Sequence, residues 1–337
     1  MKYRLCLVAI AAAQLLIPAR ADDCPKLAIY ARIPLTQIGG DPREFVPVEV
    51  AGVPKLMLLD TGAFFSTMSS KLADKLQLPS GAANFRLYGV TGAKSESFVS
   101  TSFELGGMRG NGIQFMLDPT GIGSGDDPRV VGLLGGSILT NYDLSIDFVA
   151  NRLDLLSPNH CEGQVVYWPD RPITIIPFKL RDRSAIVLTV TLDGQEVTAQ
   201  LDTGASTSTL ERGKAERSFG LVVGSADTPV SGILNGVAGL TTWRHHFKSL
   251  SLAGVEVANL DVHIIPDKIS EKVNTWSTGT LLDNRNNSVE VPSMLLGMDV
   301  LKQLHIYIAY KEKKLYITPS GQPTGSVPPA AAPAKAN

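Results

Sequence analysis

The sequence contains two copies of one short motif that could carry out acid and base chemistry. Asp60 begins the first copy of Asp-Thr-Gly-Ala, Asp202 begins the second, and a leucine precedes each aspartate. Two carboxyl groups held about 3 Å apart cannot both ionise, so such a pair keeps one proton over a wide acidic range. The ionised member can then take a proton from water while the other acts as the acid. We therefore expect Asp60 and Asp202 to be catalytic, with no metal ion and no organic cofactor.

The residues that follow each aspartate suit this chemistry. Thr61 and Thr203 can anchor their loops through hydroxyl hydrogen bonds. Gly62 and Gly204 lack a Cβ, so backbone N–H groups can approach the carboxylate closely. A single Asp-Thr-Gly occurs by chance in roughly one chain in fifteen of this length. Two copies in matching surroundings indicate a functional pair.

The surroundings of the two motifs repeat in register. Segments 45–63 and 186–205 both read as strand, turn, strand and Asp-Thr-Gly loop. The turn glycines Gly52 and Gly194 are 142 residues apart (194 − 52), as are the two aspartates (202 − 60). The second half is longer by about twenty residues, which we assign to the polar stretch 267–292. An internal repeat of this kind predicts two similar lobes that bring their aspartates together within one chain.

Each half closes with two leucines and a glycine, followed by a short helix and a pair of strands. The closing residues are Leu133, Leu134 and Gly135 in the first half and Leu295, Leu296 and Gly297 in the second. The strand pairs are expected at 144–148 with 152–156 and at 304–310 with 314–317, and brief helices at 69–76 and 137–139 and their counterparts. Short alternating runs with frequent glycine predict an all-β fold of two lobes, with the boundary between residues 157 and 172.

Glycine-rich stretches in both halves are typical of hairpin tips. Tyr88, Gly89 and Gly92 lie in the first stretch, and Gly232 and Gly236 lie in the second. On the residues alone, they are ordinary surface hairpins.

The two Asp-Thr-Gly-Ala motifs with their Leu-Leu-Gly partners resemble the pepsin and retropepsin superfamily, most closely its bacterial exported, retropepsin-like members. The resemblance covers nearly the whole chain after residue 21. It implies two homologous β-barrel lobes with the active site between them, Leu-Leu-Gly motifs packed under the catalytic loops, and glycine-rich tips that serve as flaps. It also implies an aspartic endopeptidase, a hydrolase that cleaves peptides or proteins in an extended conformation, and a monomer that acts as an internal pseudo-dimer.

The first residues predict export. Lys2 and Arg4 precede an apolar run of about 13 residues and a small-residue cleavage site at 19–21, which is typical of a signal peptide. A membrane anchor is the alternative, but a bilayer needs roughly 20 apolar residues. We expect a periplasmic or secreted protein without a stable membrane anchor.

The cysteines and histidines favour a disulfide over a metal site. Cys24 and Cys161 are the two cysteines that follow the signal segment, and in an exported protein they are expected to pair. Two free thiols are the alternative. The histidines lack the repeated ligand spacing that zinc requires, so no metal site is expected.

The net charge argues against a nucleic acid partner. The formal charge of −1, from 31 basic and 32 acidic residues, provides no cationic surplus for a nucleic acid partner.

The expected organisation is a signal peptide at 1–21, an N-terminal lobe at 22–160, a C-terminal lobe at 161–318 and a disordered Pro- and Ala-rich tail at 319–337. Two other hypotheses remain open: a non-catalytic peptide-binding module of the same fold, and pairing of lobes between molecules.

Overall fold

The computed structural model describes residues 24–88, 94–118, 121–125, 127–168, 172–234, 239–267 and 291–319. The predicted signal peptide, most of the polar stretch 267–292 and the predicted tail after Pro319 lie outside these residues. None of the helices in the described part of the chain is long and apolar enough to cross a bilayer.

The described residues form mainly β-strands. The strands of the first half are β1 (Ile29–Pro34), β2 (Phe45–Val50), β3 (Val53–Leu59), β4 (Thr67–Met68), β5 (Ser80–Tyr88), β6 (Lys94–Leu105), β7 (Met108–Leu117), β8 (Val130–Leu134), β9 (Asp143–Asp147) and β10 (Arg152–Leu156). The strands of the second half are β11 (Thr174–Pro177), β12 (Lys179–Arg181), β13 (Ala185–Leu192), β14 (Gln195–Leu201), β15 (Thr209–Glu211), β16 (Val230–Ile233), β17 (Thr241–Leu252), β18 (Val255–Ile265), β19 (Met294–Leu296), β20 (Leu304–Ala309) and β21 (Lys314–Pro319). The helices are short: α1 (Ser70–Lys75), a 3-10 turn (Ile122–Ser124), α2 (Gly136–Leu139), α3 (Arg212–Phe219) and α4 (Met298–Leu301).

The repeated turn predicted before each Asp-Thr-Gly loop is a two-residue hairpin. It joins β2 to β3 in the first half and β13 to β14 in the second. Ala51 and Gly52 have φ of 50° and 77°, and Asp193 and Gly194 have φ of 41° and 81°. Positive φ at both turn residues matches the twist of the flanking strands, which explains the glycine in each copy.

Each half forms a barrel-like sheet around an apolar core. The first sheet runs β4, β7, β6, β2, β3, β8, with β5 added beside β6. The second runs β12, β13, β14, β19, β15, β18, β17, β16, and an additional pairing of β13 with β17 closes six of its strands into a ring. Alternate residues of β14, such as Val197, Ala199 and Leu201, are buried inside this ring. These sheets confirm the predicted all-β fold with two β-barrel lobes.

A third sheet, which the sequence did not predict, contains strands from both halves. Its order is β1, β10, β9, β20, β21, β11. At its centre β9 pairs antiparallel with β20, and Ser145 lies opposite Tyr307. These two residues are 162 apart in sequence (307 − 145), the same separation as that of the closing glycines Gly135 and Gly297 (297 − 135). The axis that relates the two halves therefore passes between Ser145 and Tyr307, and the sheet joins the lobes.

The segment between the lobes is fixed to this sheet by a disulfide and a buried ion pair. Cys24 and Cys161 form the predicted disulfide, with their Cα atoms 5.2 Å apart, so the alternative of two free thiols was wrong. The Nε2 of His160 lies 2.7 Å from the Oδ2 of Asp143, and both side chains are almost completely buried. Burial alone would lower the pKa of His160, but the Cys161 carbonyl and the Asp143 carboxylate together raise it.

Candidate active site

The two predicted catalytic aspartates occupy equivalent positions at the ends of equivalent strands. Asp60 follows β3 and Asp202 follows β14. Both are partly exposed. The Asp60 N–H donates to the Leu134 carbonyl at 3.0 Å, and the Asp202 N–H donates to the Leu296 carbonyl at 3.0 Å. Each aspartate is thus held by the neighbouring parallel strand, β8 or β19, at the end of the predicted Leu-Leu-Gly segment.

The glycines of those segments allow the Asp-Thr-Gly loops to pass closely. A Cβ built on Gly135 would lie 2.6 Å from the carbonyl oxygen of Phe65, and one on Gly297 would lie 2.6 Å from that of Thr207. No side chain fits at such distances. The sequence analysis placed these glycines under the loops by resemblance, and the backbone contact gives the physical reason for a glycine at each position.

Backbone N–H groups converge on one oxygen of each carboxylate. Gly62 and Ala63 both donate to the Oδ1 of Asp60, each at 2.9 Å. The Gly204 N–H donates to the Oδ1 of Asp202 at 2.9 Å. These bonds orient each side chain and stabilise its charged form.

The two loops interlock, so that each glycine touches the carboxyl group of the other half. A Cβ on Gly62 would lie 2.4 Å from the Cγ of Asp202, and a Cβ on Gly204 would lie 2.4 Å from the Cγ of Asp60. The two carboxyl groups are close enough to share a hydrogen bond. Glycine in both motifs is therefore required by the approach of the opposite carboxyl group, as well as by the N–H groups that the sequence analysis considered.

This arrangement increases the proton affinity of the pair. Burial and the negative charge of Asp202 raise the pKa of Asp60 well above its usual range. Burial also raises the pKa of Asp202, although the Gly204 N–H, the hydrogen bond with Asp60 and the charge of Arg43 oppose that shift. The pair therefore retains a proton at pH values where isolated aspartates have lost theirs.

The two threonines connect the lobes directly. The Thr61 N–H donates to the Oγ1 of Thr203 at 3.1 Å, and the Thr203 N–H donates to the Oγ1 of Thr61 at 3.1 Å. The Thr203 hydroxyl donates to the Leu59 carbonyl at 2.7 Å, and the Thr61 hydroxyl donates to the Leu201 carbonyl at 3.2 Å. Both side chains are buried. The sequence predicted a loop-anchoring role, and each hydroxyl anchors the loop of the opposite half.

A family profile described as aspartyl protease matches residues 46–138 and 188–300, which together are more than half of the chain. The chain belongs to the aspartyl protease family. Each matched region contains one Asp-Thr-Gly motif and its closing Leu-Leu-Gly. A comparison with the curated proteins found no match. Membership in this family supports a protease function and peptide substrates.

Two serines that were not predicted from the sequence support the two Asp-Thr-Gly loops. The Oγ of Ser66 accepts from the Gly135 N–H at 3.0 Å, and the Oγ of Ser208 accepts from the Gly297 N–H at 3.0 Å. Ser208 is further bonded through its N–H and hydroxyl to the carboxylate of Asp299. The signal was present in the sequence, because the two serines are separated by the repeat offset of 142 (208 − 66).

The residues that flank the two Asp-Thr-Gly loops differ between the halves. Phe64 and Phe65 follow the Asp60 loop, with ring centroids 4.5 Å apart in an edge-to-face contact. The equivalent residues after the Asp202 loop are Ser206 and Thr207. The two residues that follow the Asp60 loop are therefore aromatic, and the two that follow the Asp202 loop are polar.

An arginine from the first half reaches the loop of the second half. The Nη1 of Arg43 lies 3.4 Å from the Gly204 carbonyl oxygen. The sequence analysis did not single out Arg43, because its surroundings do not belong to the repeated pattern.

The predicted flap residues are only partly within the described chain. Tyr88 ends β5 and its backbone pairs with Lys94 of β6. Gly232 lies in β16, which is exposed along its length and pairs with β17. The remaining flap predictions, Gly89, Gly92 and Gly236, lie outside the described residues.

Proposed function

We propose that the protein is an active aspartic endopeptidase that uses Asp60 and Asp202 as one catalytic pair. The observation that carries this proposal is the interlocked geometry, in which each loop glycine contacts the carboxyl group of the opposite half. Such contact supports a pair of carboxyl groups close enough to share the proton that the reaction needs. It also favours pairing of the aspartates within one chain over pairing between molecules, because the tether raises their effective concentration.

The proposed reaction is general acid and base attack of water on a peptide carbonyl. The ionised carboxylate takes a proton from the attacking water, and the protonated carboxyl group stabilises the developing oxyanion and helps to protonate the departing amine. Backbone N–H groups of Gly62, Ala63 and Gly204 hold the carboxylates in place during this exchange. The threonine hydrogen bonds keep the two loops in register.

The proposed substrate is a peptide or protein segment in an extended conformation. An extended backbone could add to the exposed strand β16, and the hairpin that β5 forms with β6 would cover it from the other lobe. We further propose that the protein is exported through the signal segment 1–21 and works as a monomer with lobes at 22–160 and 161–318. The disulfide is compatible with export.

The test is cleavage of a peptide library by the wild type, Asp60→Asn, Asp202→Asn and the double variant over a range of pH. Either single variant should lose nearly all activity, and the double variant should be little worse, because residues that act as a unit are not additive. The pH profile of the wild type should be bell-shaped with an acidic optimum. Asp261→Asn, which changes an exposed aspartate paired with His246, serves as the control and should retain full activity.

Full activity in either single variant would refute the shared pair. Peptide binding without cleavage by the wild type would instead support the non-catalytic binding module. Both outcomes are read from the same library, by product formation and by retention of peptides on the protein.

A further inference from the structure

Arg43 belongs to a local Asp-Pro-Arg motif that is held by hydrogen bonds within the motif itself. The Nε and Nη2 of Arg43 form a bidentate pair with the carboxylate of Asp41, and the Arg43 N–H donates to the Oδ1 of Asp41 at 2.9 Å. The same motif recurs at Asp127-Pro128-Arg129 with the same set of hydrogen bonds. The two copies differ in location, because the Arg129 side chain is 64% exposed and that of Arg43 is 25% exposed.

The pairing with Asp41 leaves Nη1 as the part of the guanidinium that faces the other half. This nitrogen lies 3.4 Å from the carbonyl oxygen of Gly204, and the N–H of the same Gly204 donates to the Oδ1 of Asp202. Arg43 thus contacts the loop that orients one of the two carboxylates. At the repeat offset of 142 the second half has Ala185, so the Asp60 loop receives no matching guanidinium from that position.

The charged groups around the pair can be named. Arg43 acts electrostatically on both Asp60 and Asp202, and its hydrogen bond with Asp41 raises the pKa of the guanidinium. Asp41 partly neutralises that charge. The next residue, Glu44, is buried and accepts a hydrogen bond from Gln37. A cation close to a pair of carboxyl groups favours their ionised forms.

We infer that Arg43 is a positioning residue for the proposed reaction: it holds the Asp202 loop from the opposite lobe, and its charge favours the ionised form of the pair. This inference rests on the proposed function. The cation comes from a residue that has no counterpart at the repeat offset, although the two motifs are identical.

The test is the pH dependence of kcat/KM for the wild type, Arg43→Gln and Asp41→Asn, with Arg129→Gln as the matched control. Loss of the cation should shift both limbs of the Arg43→Gln profile to higher pH, by about 0.3 to 1 unit. Asp41→Asn leaves the cation and removes its neutralising partner, so both limbs should shift to lower pH. Arg129→Gln, from the same motif at the surface, should match the wild type.

The opposite directions of the two expected pH shifts distinguish this inference from a purely structural role of Arg43. If Arg43→Gln and Asp41→Asn both lose activity equally at every pH, or if their profiles coincide with that of the wild type, Arg43 has no electrostatic role. If Arg43→Gln does not fold, Asp41→Asn alone decides, because the absence of a downward shift contradicts the inference. A wild type whose activity does not depend on Asp60 and Asp202 would overturn the proposed function itself, which the aspartate variants reveal separately.

Discussion

The hydroxyl of Thr203 should be among the most costly single groups to remove from this protein. It accepts from the Thr61 N–H at 3.1 Å and donates to the Leu59 carbonyl at 2.7 Å, and the side chain has no exposed surface. Valine has nearly the same shape, so Thr203→Val leaves a buried donor and a buried acceptor without these bonds. At about 1–3 kcal/mol for each of the two unsatisfied groups, the expected loss is about 2–6 kcal/mol. That is a large part of the stability of an ordinary domain.

The assay is urea unfolding of Thr203→Val, Thr61→Val and Thr203→Ser, monitored by tryptophan fluorescence and circular dichroism. Thr61→Val should cost less, because the Thr61 hydroxyl donates over a longer distance, 3.2 Å. Thr203→Ser keeps the hydroxyl and should lose only about 1 kcal/mol for the missing methyl group. If Thr203→Val unfolds within about 0.5 kcal/mol of the wild type, or if serine costs as much as valine, the crossed hydrogen bonds do not stabilise the lobe interface as argued.

Three further outcomes are expected. The pKa of His160 is raised in the fold, so the stability that protonated His160 contributes is complete below about pH 6.5 and is lost as the pH rises through the folded pKa. The denaturation midpoint of the wild type should therefore fall between pH 6 and 9, and His160→Gln should flatten that fall. An equal fall in the variant would contradict this role of His160. Reduction of the disulfide between Cys24 and Cys161 should cost about 2–5 kcal/mol; mass spectrometry of the unreduced protein should show no free thiol at either position. Glu44 is 1% exposed, its Oε2 has no hydrogen-bond partner within the described chain, and burial raises its pKa. Glu44→Ile copies Ile186, the residue at the repeat offset of 142 in the second half. It should raise the free energy of unfolding at pH 7 by about 1–3 kcal/mol, and by less at pH 4, where the wild-type carboxyl group is protonated. Equal effects at both pH values would contradict this explanation.

Much of the fold was predictable because the decisive signals are local. The hairpin turns at Gly52 and Gly194 need positive φ, and the sequence places a glycine at each. The strand that ends at Asp202 alternates between buried and less buried residues in the way that a barrel wall requires, and the strand that ends at Asp60 closes with a continuous apolar run. Helices α1 and α2 lie within one or two residues of their predicted positions, since a serine cap and a glycine start are also local features.

The shared sheet could not be predicted in the same way. Strands β9 and β20 have apolar sequences that could pair with many apolar strands. Neither sequence indicates that its partner lies in the other half. Their pairing is decided by the axis that relates the lobes, which passes between Ser145 and Tyr307. The crossed threonine bonds have the same origin, because they exist only when the two loops meet.

Arg43 shows most directly where sequence reasoning ends. The chain has two Asp-Pro-Arg motifs with the same internal hydrogen bonds, and the residues alone do not tell them apart. One is on the surface, and the other is beside the Asp202 loop of the opposite half. The difference is tertiary, and it became visible only through the contact between Arg43 and Gly204.

A growing chain completes β9 (Asp143–Asp147) long before β20 (Leu304–Ala309) has been made. During that interval β9 is the open edge of a sheet with β10 and β1, and an open edge strand is a template for pairing with another molecule. Contacts between segments so far apart in sequence also form slowly. The arrival of β20 covers the edge from within the same chain, so the second lobe protects the newly made first lobe against aggregation.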